Sequence, residues 1–148
     1  MTPDRIKTPD AFWKAIEQLS IRRSALLREA GLPVSIVNRE ARMSTAQFFA
    51  LWRAMERLGG ADIGHDLSTM LHGSTMPPSF LVAFHAKDLG EALHRVARFK
   101  ALCAPEEFHI AINGDDCVIT TSWPHAHGPE GTDPFRPSRY MVGTLGSG

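Results

Sequence analysis

The sequence has few cysteines and no long apolar run. Cys103 and Cys117 are its only two cysteines, too few for the disulfide framework of a small secreted domain. The first residues, MTPDRIKTPD, contain no apolar signal-peptide core. The longest apolar stretch, residues 79–86, is far shorter than the roughly 20 residues that cross a bilayer. These features predict a cytoplasmic protein with reduced thiols that does not enter a membrane.

The sequence also lacks an excess of charge of either sign. Its 16 Lys and Arg balance 16 Asp and Glu, whereas dedicated nucleic-acid binders are strongly basic. The basic residues are more frequent in residues 1–60 than in the rest, a pattern that ordinary solvated faces explain. The chain has 148 residues, 43% of them hydrophobic, and this is enough for one domain with its own core.

Common catalytic motifs are missing as well: GxSxG, GxxxxGK[ST], GxGxxG and HExxH do not occur. His125 and His127, in HAH, could provide half of a metal site, but no third ligand is fixed by spacing. Cys103 or Cys117 could pair with His109, but neither cysteine lies beside a feature that would favour its thiolate. We predict no enzymatic activity, no cofactor and no metal, with a small metal-dependent enzyme as the remote alternative.

Helical spacing of apolar residues predicts helices over 9–20, 22–31, 44–58, 62–71 and 78–85, and another beginning near residue 88. Thr8 is expected to cap the first helix, and Gly31 to end the second. Ser44 and Gln47 have the spacing of a capping box at the start of the third. The apolar face expected for the third helix comprises Phe48, Leu51, Trp52, Met55 and Leu58.

The last predicted helix contains the basic segment KDLGEALHRVARFK. Asp88 and Glu91 suit its N-terminus, and Glu91 can pair with Arg95 four residues later. One apolar stripe is expected, formed by Leu89, Ala92, Leu93, Val96 and Ala97. The basic side chains fall on the opposite, solvated face, so we interpret this segment as an amphipathic packing helix and not as a reader of nucleic acid.

After residue 103 the periodicity becomes alternating, which predicts an antiparallel hairpin closed at NGDD. Its alternating residues are Phe108, Ile110 and Ile112 in the first strand and Val118 and Thr120 in the second. From Pro124 onward, four prolines and five glycines predict an irregular tail, pinned at Phe135 or Tyr140. The expected fold class is α+β: a helix-rich N-terminal half, then a small antiparallel sheet and an irregular C-terminal tail. The expected domain comprises residues 1–122, followed by the tail, 123–148.

Four residues are candidates for contact with a small molecule. Trp52, on the third helix with Phe48, Phe49 and Met55, could line a pocket, although aromatic residues at helical spacing more often form core. His72, Phe84 and His85 flank the loop HGSTMPP, where a polar group among apolar ones could orient a ligand.

The order of these elements resembles a known module. The segments REARMSTAQFFALWRAMERLGGADIGHDLSTML and DLGEALHRVARFKAL, followed by a hairpin, are similar to the N-terminal "arabinose-binding" type domain of AraC/XylS-family transcriptional regulators, over about residues 19–122. The strongest pieces are the LGEAL helix start and the helix around Leu51 and Trp52. Pro77 and Pro78 stand where the family commonly has a smoother, glycine-containing apolar stretch.

The resemblance implies a domain that senses a small organic effector and forms oligomers. In that family it is normally followed by two helix-turn-helix units, for which the segment after Ser122 is too short and too rich in Pro and Gly. The sequence therefore predicts an effector-sensing domain without its own DNA-binding unit. An alternative is an interaction module that pairs with an intact regulator through the edge of the hairpin.

Overall fold

The computed structural model describes residues 3–39, 41–72, 81–113, 116–125 and 139–142, and the side chains of 71–72 and 139–142 lie outside this description. The chain divides into two compact units. The first unit comprises Asp4–Pro77, and the second comprises Pro78–Gly148 together with Met1–Pro3. The α+β class predicted from the sequence is confirmed.

The first unit is helical. Its four described α-helices are α1 (Asp10–Gln18), α2 (Arg23–Ala30), α3 (Thr45–Gly59) and α4 (Ile63–His72), and a 3₁₀ turn at Val34–Val37 lies between α2 and α3. α3 packs against α2 and α4, and α1 packs against α4 and α2. Thr8, the predicted cap of α1, does not have that role, because the N-cap position falls on Pro9 and no side chain caps the helix.

Two helices of this unit end in the same way. At α2, the N–H of Gly31 donates to the Arg28 carbonyl and that of Leu32 to the Leu27 carbonyl, with Gly31 at φ 66°. These two hydrogen bonds, together with a left-handed residue at the helix end, form a Schellman motif. α1 ends likewise, with Ser20 in the left-handed position. The predicted end of α2 at Gly31 is confirmed.

α3 has the most elaborate N-terminus. Ser44 and Gln47 form the predicted capping box, in which Gln47 N–H donates to Ser44 Oγ (3.2 Å) and Ser44 N–H to Gln47 Oε1 (2.9 Å). Asp4 Oδ1 accepts from the backbone N–H and the hydroxyl of Thr45, at 2.7 and 2.6 Å. Next to it, a pair of backbone hydrogen bonds joins Ile6 and Met43. The segment before α1 is thereby fixed to the start of α3.

The core of the first unit lies where the four helices meet. Its buried apolar residues include Trp13, Ile16, Leu26, Leu51 and Met55, and full burial of such a side chain stabilises the fold by roughly 1.5–3 kcal/mol. The predicted apolar face of α3 is correct at Leu51 and Met55, but Leu58 is 44% exposed and Phe49 is buried. The buried stripe is therefore shifted toward residues 49 and 54.

The second unit has one described α-helix, α5 (Leu89–Cys103), and three strands, β1 (Glu107–Asn113), β2 (Asp116–Ser122) and β3 (Arg139–Val142). The strands form an antiparallel sheet in the order β1-β2-β3. The predicted hairpin is confirmed, and Asn113 pairs with Asp116 at its closed end. Within the segment predicted to be irregular, the structure differs by adding β3, where Tyr140 pairs with Ile119; Phe135 lies outside the described residues.

The sheet buries a different set of β2 residues from the one that alternation suggested. Ile110 pairs with Ile119, and Ile112 with Cys117, and directly paired residues share a face of the sheet. Cys117 and Ile119 are buried, whereas Val118 and Thr120 are only half-buried on the other face. The strand DCVITTS has apolar residues on both faces, so its own sequence does not specify which face is buried. The register with the partner strand specifies it.

α5 packs against β1 on the face that holds Phe108 and Ile112. Lys100 Nζ lies 5.8 Å from the centre of the Phe108 ring, and a Cβ at Gly90 would lie 3.7 Å from Ile112 Cδ1. The predicted N-cap is confirmed, because Asp88 Oδ1 accepts from Glu91 N–H at 2.8 Å. None of the residues of α5 is fully buried, and Leu89 in the predicted stripe is 44% exposed.

The short helix predicted over 78–85 lies partly outside the described residues; Leu81 is helical and residues 82–85 form turns. Among the helices that the structure describes, none has the length and apolarity needed to span a bilayer.

Candidate functional site

The four predicted ligand contacts are divided between the units. Trp52, on α3, and His72, the last residue of α4, belong to the first unit. Phe84 and His85 lie in the turn before α5, in the second unit, and both are exposed, Phe84 to 64%. The side chain of His72 lies outside the description. The structure therefore does not bring the four residues together within one unit, and their role in binding stays a prediction.

Trp52 lies in a cluster of aromatic rings in the first unit. Its ring centre is 6.1 Å from that of Phe48 and 6.3 Å from that of Phe12, both in edge-to-face geometry. Phe12 is buried, whereas Trp52 and Phe48 are half-buried on α3. Edge-to-face contacts of this kind fix the orientation of a ring. The part of the indole that stays accessible is consequently a rigid apolar surface that an apolar or aromatic group can cover.

A concavity of about 400 Å³ lies in the same unit, at the corner between α1 and α2. This volume is within the range of small-molecule sites. No sequence pattern predicted this concavity, which is lined by Glu17, Ser20, Ile21, Arg22, Arg23 and Ser24. Glu17 and Arg23 form a two-point ion pair, with Nε to Oε1 at 2.7 Å and Nη2 to Oε2 at 3.1 Å. This pair holds both side chains in place at the wall.

The shape of the corner depends on the backbone of Ser20. Its φ is 64°, and it is the only described residue other than glycine with a positive φ. Its N–H donates to the Glu17 carbonyl (3.0 Å) and the N–H of Ile21 to the Ile16 carbonyl (3.2 Å). The left-handed conformation costs a residue with a Cβ roughly 1–2 kcal/mol. A strained residue at the wall of a concavity is an observation from which a functional role can be inferred.

The two surfaces suit different chemistry. The corner presents two hydroxyls, two guanidinium groups and one carboxylate, groups that recognise hydroxylated or anionic small molecules. The Trp52 surface is aromatic and suits an apolar group.

The possible metal ligands of HAH are only partly described: His125 lies in a turn, and His127 is outside the described residues. Elsewhere in the part of the chain that the structure describes, no group of three or more His, Cys, Asp or Glu side chains could hold a metal ion. Cys103 is exposed and Cys117 is buried, and both are free thiols.

Comparison with known proteins gives a match at the level of a protein family. A protein-family model described as the arabinose-binding domain of AraC transcription regulator, N-terminal, matches residues 21–147, which is most of the chain. No curated protein and no solved structure matches it. The match begins between α1 and α2 and extends past β3, beyond the end near residue 122 that the resemblance suggested.

Proposed function

Because the chain belongs to the family of N-terminal arabinose-binding domains of AraC transcription regulators, we propose that it senses a small organic effector on behalf of a transcription regulator. The family is one of regulatory ligand-binding domains and not of enzymes. The observation that carries the proposal is the extent of the match, which includes α2 to α5 and all three strands.

The proposed contacts of the effector are Trp52 and His72 in the first unit and Phe84 and His85 in the second. Trp52 is the best supported of them, because its ring is held by Phe12 and Phe48 and is only half-buried. The corner at Ser20 is the competing surface in the first unit. A hydroxylated or anionic effector favours the corner, and an aromatic or fatty-acid effector favours Trp52.

The test is thermal unfolding of the chain alone and with a panel of sugars, amino acids, aromatic acids and fatty acids. A compound at about one hundred times its Kd adds roughly 2.7 kcal/mol to the free energy of unfolding. For a domain of this size that raises Tm by several degrees. We expect one chemical class to raise Tm. A single cooperative transition that no compound shifts would contradict the proposal.

Two variants then assign the site. Trp52→Leu should abolish the Tm shift if the effector covers the aromatic surface, and Arg22→Ala should leave it unchanged. The opposite pattern would assign the effector to the corner, because Arg22 lines the corner, is exposed there and is not one of the rings of the aromatic cluster. The Tm of each variant without ligand serves as its own reference.

Self-association belongs to the same proposal, and pairing with an intact regulator is the second candidate. We further propose that the chain acts in the cytoplasm and does not bind DNA by itself, since its charges balance. Fluorescence titration with duplex DNA at low salt should give no sequence-selective binding. Tight selective binding there would contradict this part.

A further inference from the structure

The corner between α1 and α2 contains more hydrogen-bond donors than the described protein uses. Arg22 is exposed, and in the part of the chain that the structure describes no group pairs with its guanidinium. The hydroxyls of Ser20 and Ser24 likewise have no partner among the described residues. All three side chains line the concavity of about 400 Å³. Its wall therefore presents free donors to a molecule that enters it.

The guanidinium of Arg23 is only partly used by its ion pair. Glu17 Oε2 accepts a hydrogen bond from Nη2 at 3.1 Å. Nε lies 2.7 Å from Glu17 Oε1, yet it is buried and has no hydrogen-bond partner. Buried donors in proteins are almost always paired, because an unpaired one costs free energy. Arg23 thus keeps donor capacity at the wall that Glu17, the carboxylate of the corner, does not take up.

The backbone at the start of α2 adds donors of the same kind. α2 begins after Arg22 without a side-chain cap, and the first N–H groups of a helix have no acceptor within the helix. No described residue accepts from the N–H of Arg23 or of Ser24. Such N–H groups and the helix dipole favour a negative charge. The backbone and the two guanidinium groups therefore favour the same sign of charge in a ligand.

The size of the concavity indicates more than a bare ion. Its volume of about 400 Å³ is within the range of sites that hold small organic molecules. Two guanidinium groups and one carboxylate line it, which leaves an excess of positive charge. The two serine hydroxyls can donate to, or accept from, polar groups on the body of a ligand.

We propose that the corner binds a small organic molecule through a phosphate or carboxylate group, held by Arg22, Arg23 and the first N–H groups of α2. This inference goes beyond the effector sensing proposed above, because the corner shares no lining residue with the aromatic cluster of Trp52. Glu17 and Ser20 precede residue 21, where the family match begins. The family match therefore does not imply this site, which is a feature of this chain.

Titration with inorganic phosphate and with acetate tests the site, at constant ionic strength because salt screens surface charges. The backbone amide signals of Arg23 and Ser24 in heteronuclear NMR spectra should move and saturate with at least one of the two anions. The signals of Thr45 and Gln47 are the matched control and should stay in place, because their N–H groups already have acceptors at the capped start of α3. Tighter binding of phosphate assigns a phosphorylated ligand, and tighter binding of acetate a carboxylate. Signals that do not saturate, or that move equally at both helices, would overturn the proposal.

Removal of one arginine tests which side chain holds the anion. Arg22→Ala should raise the Kd of the bound anion about tenfold, because it removes a charge-assisted donor. Arg53→Ala is the control and should leave the Kd unchanged, since Arg53 is an exposed arginine of α3 with no partner among the described residues. An equal effect of the two variants would reduce the binding to general attraction by positive charge and would overturn the assigned site.

A carboxylate built into the chain tests the same site without any ligand. Ser24→Asp places a negative charge in the first turn of α2, where it should raise Tm without added anion and abolish the anion-induced shifts. A Ser24→Asp variant that still binds the anion with the wild-type Kd would overturn the assignment. These titrations contain no effector, so their failure would leave the effector-induced Tm shift standing, and the absence of that shift would leave the anion site standing.

Discussion

At the scale of single residues, Ser20 and Gly31 show the same backbone position filled in two ways. Both lie left-handed at the end of a helix, with φ 64° and 66°. Gly31 was predictable, because glycine followed by proline two residues later is a common helix end. Ser20 was not, because a serine in SIRRS carries no signal for a positive φ.

Ser20→Gly should therefore stabilise the first unit by about 0.5–1 kcal/mol, since glycine adopts the left-handed region without a Cβ penalty. Gly31→Ala is the matched control and should lower the free energy of unfolding by about 1 kcal/mol. No atom lies within 4 Å of a Cβ added at Gly31, so the lower stability of Gly31→Ala would come from backbone strain alone. Urea unfolding of both variants measures the difference. A less stable Ser20→Gly would mean that the hydroxyl contributes more than the strain costs.

At the scale of elements, the start of α5 is organised around Glu91. Its carboxylate accepts from the backbone N–H of Lys87 at 2.8 Å and from Arg95 Nη2 at 2.7 Å. The N–H of Lys87, and then Arg95, lower the pKa of Glu91 below its ordinary value. The cap and the Glu91–Arg95 pair were both predicted from the spacing of Asp88, Glu91 and Arg95.

The stabilising effect of Glu91 should consequently depend on pH. A carboxyl whose pKa is lower in the folded state stabilises it above the unfolded pKa, and this contribution is lost as pH falls through the folded value. Glu91→Gln should therefore lower Tm more at pH 7 than at pH 3. Glu56→Gln, an exposed glutamate of α3, is the control. Thermal unfolding followed by circular dichroism at both pH values measures the effect, and an equal loss at pH 3 and pH 7 would contradict it.

The sheet shows what the alternation of apolar and polar residues in a single strand can predict about the structure. Alternation predicted both strands of the hairpin, but it did not identify Cys117 and Ile119 as the inward residues of β2. That choice depends on the register with β1, in which they lie opposite Ile112 and Ile110. β3 was missed because a four-residue strand in a segment rich in Pro and Gly has too short a pattern to recognise.

At the scale of the whole molecule, the first unit is closed by a contact between residues 41 positions apart. Asp4 receives both donors of Thr45, which is fully buried. Loss of this carboxylate leaves a buried hydroxyl and an N–H without their acceptor, at a cost of roughly 1–3 kcal/mol.

Asp4→Ala should lower the free energy of unfolding by that amount. Asp10→Ala is the control, because Asp10 pairs at 2.9 Å with Arg39, whose side chain is 83% exposed, and exposed pairs contribute about 0–1 kcal/mol. Denaturant unfolding compares the two variants. Equal losses would show that the Asp4 contact does not close the unit.

The candidate site was the least predictable part of the molecule. Helix ends and strands have local signals, so most element positions followed from the sequence. Sites depend on which elements meet: Trp52 and Phe84 belong to different units, and the corner at Ser20 forms from one backbone angle and the pairing of Glu17 with Arg23.

The contacts of α1 also show that the region matched by the family model and the compact unit of the structure have different bounds. The family match begins at residue 21, yet Phe12, Trp13 and Ile16 are core residues of the same unit. The compact unit of the structure therefore includes α1, which the family model does not match. Removal of α1 would uncover the surfaces of α2 and α4 against which it packs, so the region that identifies the family is shorter than the region that buries this core.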